Sequence, residues 1–159
     1  MVTSTISNIR AYLLRMLGEV YLNEDVKKGV GYLVRSAEMG NITAQIELGT
    51  IYSKGEIVDL DDVQALHWYR KAAESGDLFG EANLGWVYFD GRGVEQNYSE
   101  SRFWFEKSAS KGHDESQYAL GVIHAEGLGT DVDHTEAKAW LEKASAQGLE
   151  KAIEFLQHI

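Results

Sequence analysis

The chain contains no cysteine and no proline. The first absence excludes disulfides, thiolate metal sites and a cysteine nucleophile, and it fits a reducing compartment. The second leaves nothing to interrupt long helices. Positive charge is scarce: 15 Lys and Arg stand against 25 Asp and Glu, for a net charge of −10. A phosphate backbone and an anionic membrane surface would both be repelled, which argues against nucleic acid and membrane as partners. Basic peptides or proteins would be steered in, and the same charge also serves plain solubility. No run of 18 apolar residues exists, and MVTSTISNIRAYLLRMLGEVY at the amino terminus has no basic start and is broken by Arg10, Arg15 and Glu19. That stretch reads as neither membrane span nor signal peptide, so a cytoplasmic location is expected.

What is present is a repeat. The 159 residues are 44% hydrophobic and 25% charged, enough for one soluble domain with a sizeable core. The segment HWYRKAAESG, from His67 to Gly76, gathers a histidine, two aromatics, two cations and a carboxylate, as an active site would. Yet VRSAEMG, RKAAESG, EKSASKG and EKASAQG end at Gly40, Gly76, Gly112 and Gly148, spaced by 36 residues. Eight residues after each glycine comes Leu48, Leu84, Leu120 or Leu156, the first three followed by Gly49, Gly85 and Gly121; Leu17-Gly18 is the same pair one unit earlier. Each unit reads as two helices, A and B. Helix A carries stripes such as Leu48, Ile51 and Tyr52 at helical spacing. Its internal glycine costs about 1 kcal/mol relative to alanine, so its recurrence predicts close backbone approach to another helix. Asp61, Asn97 and Asp133 sit at the start of helix B, with Gln64, Glu100 and Glu136 three residues on, the capping-box spacing. Trp68, Trp104 and Trp140, with Tyr32 in the first unit, are expected core residues of helix B, as is Tyr69 beside Trp68, and the helix closes on its glycine. His67 has no counterpart and is expected on a solvated face.

The repeat predicts a single domain over 1–159. Its units fall at about 10–40, where the loop has lost five residues, then 41–76, 77–112 and 113–148, with a capping helix at 149–159. The fold class is all-α, four helix-turn-helix repeats plus a terminal helix, and atypical end repeats suit a stacked array.

The residues Ala44, Leu48-Gly49, Tyr52, Gly55, Asp61, Ala65, Trp68, Lys71-Ala72-Ala73 and Gly76 resemble the Sel-one-like repeat (SLR) family, a branch of the tetratricopeptide-type helical repeats. The likeness spans residues 10–159. Departures are modest: Ile57 replaces the second loop glycine, Gly80 and Ser116 replace Ala44, and His124 replaces the tyrosine. The resemblance implies a right-handed α-solenoid whose concave face is lined by helix A. It further implies an adaptor that holds proteins or peptides, a bacterial source, and no shared catalytic residues.

A bulky aromatic at a position that does not recur is the informative surface feature. By analogy with tetratricopeptide geometry, the residue after each Leu-Gly faces the groove: Glu19, Thr50, Trp86 and Val122. Phe79, Ala82 and Phe89 are expected on the same face, with Glu115, Tyr118 and Ala125 in the next unit, Thr43, Ile46 and Ser53 in the second, and Tyr12 and Arg15 in the first. Phe79, Trp86, Phe89 and Tyr118 then make an aromatic patch, rimmed by Asp90, Glu115 and Glu126, the anatomy of a binding hot spot. The expected partner is a protein or peptide with an apolar anchor and basic flanks. Two other readings stay open: an immunity or inhibitor protein that neutralises a basic toxin or enzyme, and self-assembly through the ends of the stack, where Ile153, Phe155 and Ile159 are candidates. The chain is then a monomer or a weak homo-oligomer.

Signals of catalysis are missing. There is no HExxH, phosphate-binding loop or GxSxG. The pairs His113-Asp114 and Asp133-His134 are neighbours that point apart on a helix, and the cluster Asp59, Asp61, Asp62 lacks calcium-loop spacing. No enzyme, cofactor or metal is expected.

Overall fold

The computed structural model describes residues 2–159, with side chains from Thr5 onward. Among these residues there are nine α-helices and no strand. They are α1 (Val2–Leu22), α2 (Val26–Glu38), α3 (Ile42–Lys54), α4 (Asp62–Glu74), α5 (Leu78–Asp90), α6 (Tyr98–Ser110), α7 (Asp114–Glu126), α8 (His134–Ala146) and α9 (Glu150–Leu156). Helices α2 to α8 each have 13 residues, as the constant period requires. Helix α1 has 21 and starts well before the repeat does. Neither repeat spacing nor a capping residue marked that start.

Local chemistry sets the ends. The side chains of Asp25, Asp61, Asn97 and Asp133 accept the backbone N–H groups of Lys28, Gln64, Glu100 and Glu136. Only this half of the capping box forms for the last three. The reciprocal half would need the cap residue's own N–H, and in Asp61, Asn97 and Asp133 that group already donates to the carbonyls of Tyr52, Tyr88 and His124. The interhelix loop is thereby pinned to the helix it leaves. Gly40, Gly76, Gly112 and Gly148 follow the helix B ends with φ between 79° and 94°, a conformation that favours glycine.

The chain divides into two compact units, Met1–Ser75 and Gly76–Ile159. In the first, α1 pairs with α2 and α3 with α4, and α2 packs on α3. Its core holds Leu33, Ala37, Ala44, Leu48, Ile51 and Trp68. Two buried polar groups tie its helices: the Ser36 hydroxyl donates to the Ala11 carbonyl (2.7 Å), and the Gln45 amide donates to the Ala37 carbonyl (3.0 Å). In the second unit α5 pairs with α6 and α7 with α8, while α6 packs on α7 and α8 on α9. One cluster is built on Phe105, Ala109, Ala119, Leu120 and Ile123, another on Leu141, Ala144 and Ala152. Ser108 and Gln117 repeat the two polar ties, to the Leu78 and Ala109 carbonyls. At the position matching Gln45 and Gln117 stands Glu81, fully buried. Its carboxylate takes two hydrogen bonds from Lys111 (2.6 and 2.7 Å), with Lys107 at 3.7 Å. One repeat later Gln147 meets Gln117 (2.9 Å), so an ion pair and an amide pair occupy the same place.

The helix A glycines make room for helix B side chains. A Cβ on Gly49, Gly85 or Gly121 would stand 2.5–2.7 Å from Tyr69, Phe105 or Leu141, and one on Gly18 would stand 2.7 Å from Leu33. In the first hairpin the two helix backbones also meet: a Cβ on Gly29 would lie 2.6 Å from the Leu22 nitrogen and 3.0 Å from the Gly18 oxygen. In the third and fourth hairpins this moves the core one residue past the expected tryptophan. Trp68 and Tyr69 are both buried, but Trp104 and Trp140 are half-buried, and Phe105 and Leu141 occupy the deepest place, as Leu33 does in the first hairpin. The tryptophans instead lie under lysines one turn on. Lys71, Lys107 and Lys143 sit 5.1, 4.4 and 3.7 Å from the ring centres of Trp68, Trp104 and Trp140.

Candidate protein-binding surface

The residues expected to form the aromatic patch and its acidic rim all lie in the second unit, on α5 and α7, which touch each other. Phe79 and Trp86 are two turns apart and share one face of α5. Phe79 is 54% exposed, its ring edge-on to His113 at 5.5 Å. Trp86 is half-buried, because its ring rests edge-on against Phe105 (5.0 Å) and Phe89 (5.3 Å). Phe89 is also half-buried and continues the row to Tyr98 at 5.3 Å. Ala82 is buried, so it packs rather than lines the surface. Tyr118 does not join these rings. It packs on Phe155 (6.2 Å) beneath Lys151, whose ammonium is 4.5 Å from the ring and pairs with Glu115. The expected patch is therefore two sites: a row of Trp86 and Phe89 ending near exposed Asp90, and a Tyr118, Glu115, Lys151 cluster against α9. Glu126, exposed at the end of α7, matches Asp90 one repeat on.

The layer under Trp86 explains why an aromatic is tolerated there. In the second hairpin the same layer is polar, with Tyr69 hydroxyl 3.2 Å from Thr50 Oγ1 and 3.3 Å from Ser53 Oγ. In the fourth it is Val122, Ala125 and Leu141. The residue types at these places change together, and Trp86 packs on Phe105 while staying half-exposed.

His113 is the residue that sequence reasoning missed. It caps α7: Nδ1 accepts the Ser116 N–H at 3.2 Å and lies 3.0 Å from the Ser116 hydroxyl. Asn41 and Asp77 cap α3 and α5 in the same way, a polar residue three places before Ala44, Gly80 and Ser116. Burial holds the His113 imidazole below the ordinary histidine value, against the pull of Asp114 and Glu115. In the first unit, Tyr12 is exposed, and Arg15 is half-buried in ion pairs with Glu19 and Glu47. Ile153 and Ile159 are exposed, while Phe155 is half-buried. No three His, Asp or Glu side chains among the described residues converge as metal ligands would, and no helix there is long and apolar enough to cross a membrane.

Comparison with known proteins sets this geometry in context. The model of the Sel1 repeat matches residues 12–41, 42–77, 79–113 and 114–149. The solved structure of c5321, a protective antigen present in uropathogenic Escherichia coli strains displaying an SLR fold, is similar at 32% identity with a TM-score of 0.89. That match covers 94% of this chain and 33% of the other, so the chain spans about a third of that protein's length. A Sel1 repeat protein from Oxalobacter formigenes is 41% identical over 80% of this chain and 96% of its own, with a TM-score of 0.70. Helicobacter pylori cysteine rich protein B is 26% identical over 70% of this chain and 87% of its own, at 0.56. No curated protein matches. Sel1 repeat proteins generally mediate protein–protein interactions and are scaffolds rather than catalysts. With four matched repeats over nearly its whole length, the chain belongs to the Sel1 repeat family.

Proposed function

We propose that the chain is a non-catalytic protein-interaction module whose α5–α7 surface takes a peptide or helix with an apolar anchor and basic flanks. The observation that carries this reading is Phe79: a large aromatic, 54% exposed, on the same helix face as Trp86. The repeat does not require it, since Thr43 and Glu115 stand at the matching places. An exposed ring beside a half-open one is a preformed anchor site with little side-chain entropy left to lose. Asp90 and Glu126 supply negative charge at the helix ends nearest Phe89, and the net charge of −10 steers a cationic partner.

The test is selection of a displayed peptide library on the immobilised chain. Enriched peptides should carry an aromatic or large aliphatic residue flanked by Lys or Arg. Phe79→Ala should weaken them about tenfold, about 1.4 kcal/mol, with unchanged melting. Asp90→Asn with Glu126→Gln should reduce the salt dependence of binding. Enriched peptides that bind both variants as well as the native chain would overturn the assignment.

A further inference from the structure

Helix α1 carries two apolar seams, and only one is covered. Ala11, Leu14, Gly18 and Tyr21, at steps of three and four, are buried or half-buried on the side where α2 packs. Ile6, Ile9, Leu13, Met16 and Val20 form a second seam with the same alternation, and all are between 44% and 61% exposed. Tyr12 and Leu17 widen it. Two interlocked steps of seven, 6–13–20 and 9–16, are the spacing of a helix that pairs with another helix along its length.

The repeat shows that this face is built to be covered. Leu13, Leu17 and Val20 match Ala44, Leu48 and Ile51 of α3, which are buried where α2 packs. The seam also runs beyond the repeat. Ile6 and Ile9 lie upstream of residue 11, which matches the first residue of α3, so a 13-residue repeat helix aligned as α2 is on α3 would leave them bare. A helix as long as α1 would not. Charge points the same way. The chain has 25 acidic residues, yet none precedes Glu19, while Arg10 and Arg15 lie within that stretch. For two molecules of charge −10, α1 is the stretch where mutual repulsion is least.

We propose that the exposed face of α1 is a homodimer interface, in which α1 of one copy lies along α1 of a second copy, with Leu13 facing Leu13 across the two-fold axis. The α1–α2 hairpins of the two copies then make a four-helix arrangement, in which each α1 is braced by its own α2. This interface is separate from the α5–α7 surface, so either assignment stands without the other.

Light scattering over a concentration series of the full chain tests it. The mass should rise from the 17.8 kDa of one chain toward twice that value. Leu13→Glu with Val20→Glu should stay at one chain mass with unchanged helical content and melting in the dilute state. Because the chain has no cysteine, Leu13→Cys is a clean reporter: mild oxidation should link two copies, whereas Val63→Cys, more exposed on α4, should not. A native chain that stays at one chain mass throughout would overturn the proposal. So would a double variant that assembles like the native chain, or a Leu13→Cys variant that links no better than Val63→Cys. Should the double variant fail to fold, the cysteine pair still decides.

Discussion

Helices α1 and α3 occupy the same place in successive repeats, yet one is largely core and the other half surface. Leu48 of α3 has no exposure, and Leu17 of α1, the matching residue, has 41%. Ile51 is 7% exposed and Val20 is 58%. Both helices present a glycine to their own second helix, Gly49 beneath Tyr69 and Gly18 beneath Leu33, so the hairpin contact is common to both. The difference lies on the other side, where α2 packs on α3. The repeat motif thus encodes two contacts at once, one within the hairpin and one to the hairpin before, and burial of the second set depends on the neighbour.

This comparison can be broken at several points. The largest effect is expected at Phe105, the fully buried ring beneath Gly85 and Trp86. Phe105→Ala should cost about 3–5 kcal/mol in urea unfolding, whereas Phe79→Ala, on the exposed face, should stay within about 0.5 kcal/mol. Next come two glycines of α2. Gly29→Ala drives a methyl into the Leu22 backbone and should cost roughly 1–3 kcal/mol, although alanine is the better helix former. Gly31→Ala meets nothing within 4 Å and should gain up to about 1 kcal/mol. Equal effects at the two sites would remove the packing explanation for Gly29. Ser36→Ala deletes the buried bond to the Ala11 carbonyl and should cost about 1 kcal/mol in the same assay.

The smallest effect is the pH response of the α7 cap. Nδ1 of His113 must be unprotonated to accept the Ser116 N–H, and burial lowers the folded-state pKa below 6.5. The unfolded chain therefore binds the proton first as pH falls. The contribution of this group is complete above about pH 6.5 and is lost progressively below it, toward the folded-state pKa. Melting temperatures from pH 8 down to pH 5 should show this loss, and His113→Asn, which keeps a capping oxygen, should reduce it.

Much of this architecture could be read from spacing alone. The 36-residue period placed the helix B caps Asp61, Asn97 and Asp133, each closing glycine and the helix A glycines Gly49, Gly85 and Gly121, because these are local backbone requirements that recur in each copy. What spacing could not give is what side chains meet across long separations. Glu81 reads as an ordinary surface carboxylate until Lys111, 30 residues away, is found against it. Trp104 and Trp140 look like core residues by size, but the narrowest approach between the helices falls one residue later, at Phe105 and Leu141, leaving the indoles under lysines. In the candidate site, Phe79 lies exposed, whereas Trp86 and Phe89 rest on Phe105 and Tyr98, and Tyr118 turns to Phe155. The early start of α1 had no signal, since the stretch 2–9 repeats nothing later in the chain.

The dependence of burial on the preceding hairpin is tested most directly by two substitutions at one repeat position. Leu17→Ala and Leu48→Ala remove the same atoms from matching sites of α1 and α3, and their unfolding free energies are measured by urea titration of the dilute, monomeric chain. Leu48→Ala should cost about 2.7–5 kcal/mol and Leu17→Ala no more than about 1.5 kcal/mol. Equal costs at the two positions would contradict the account.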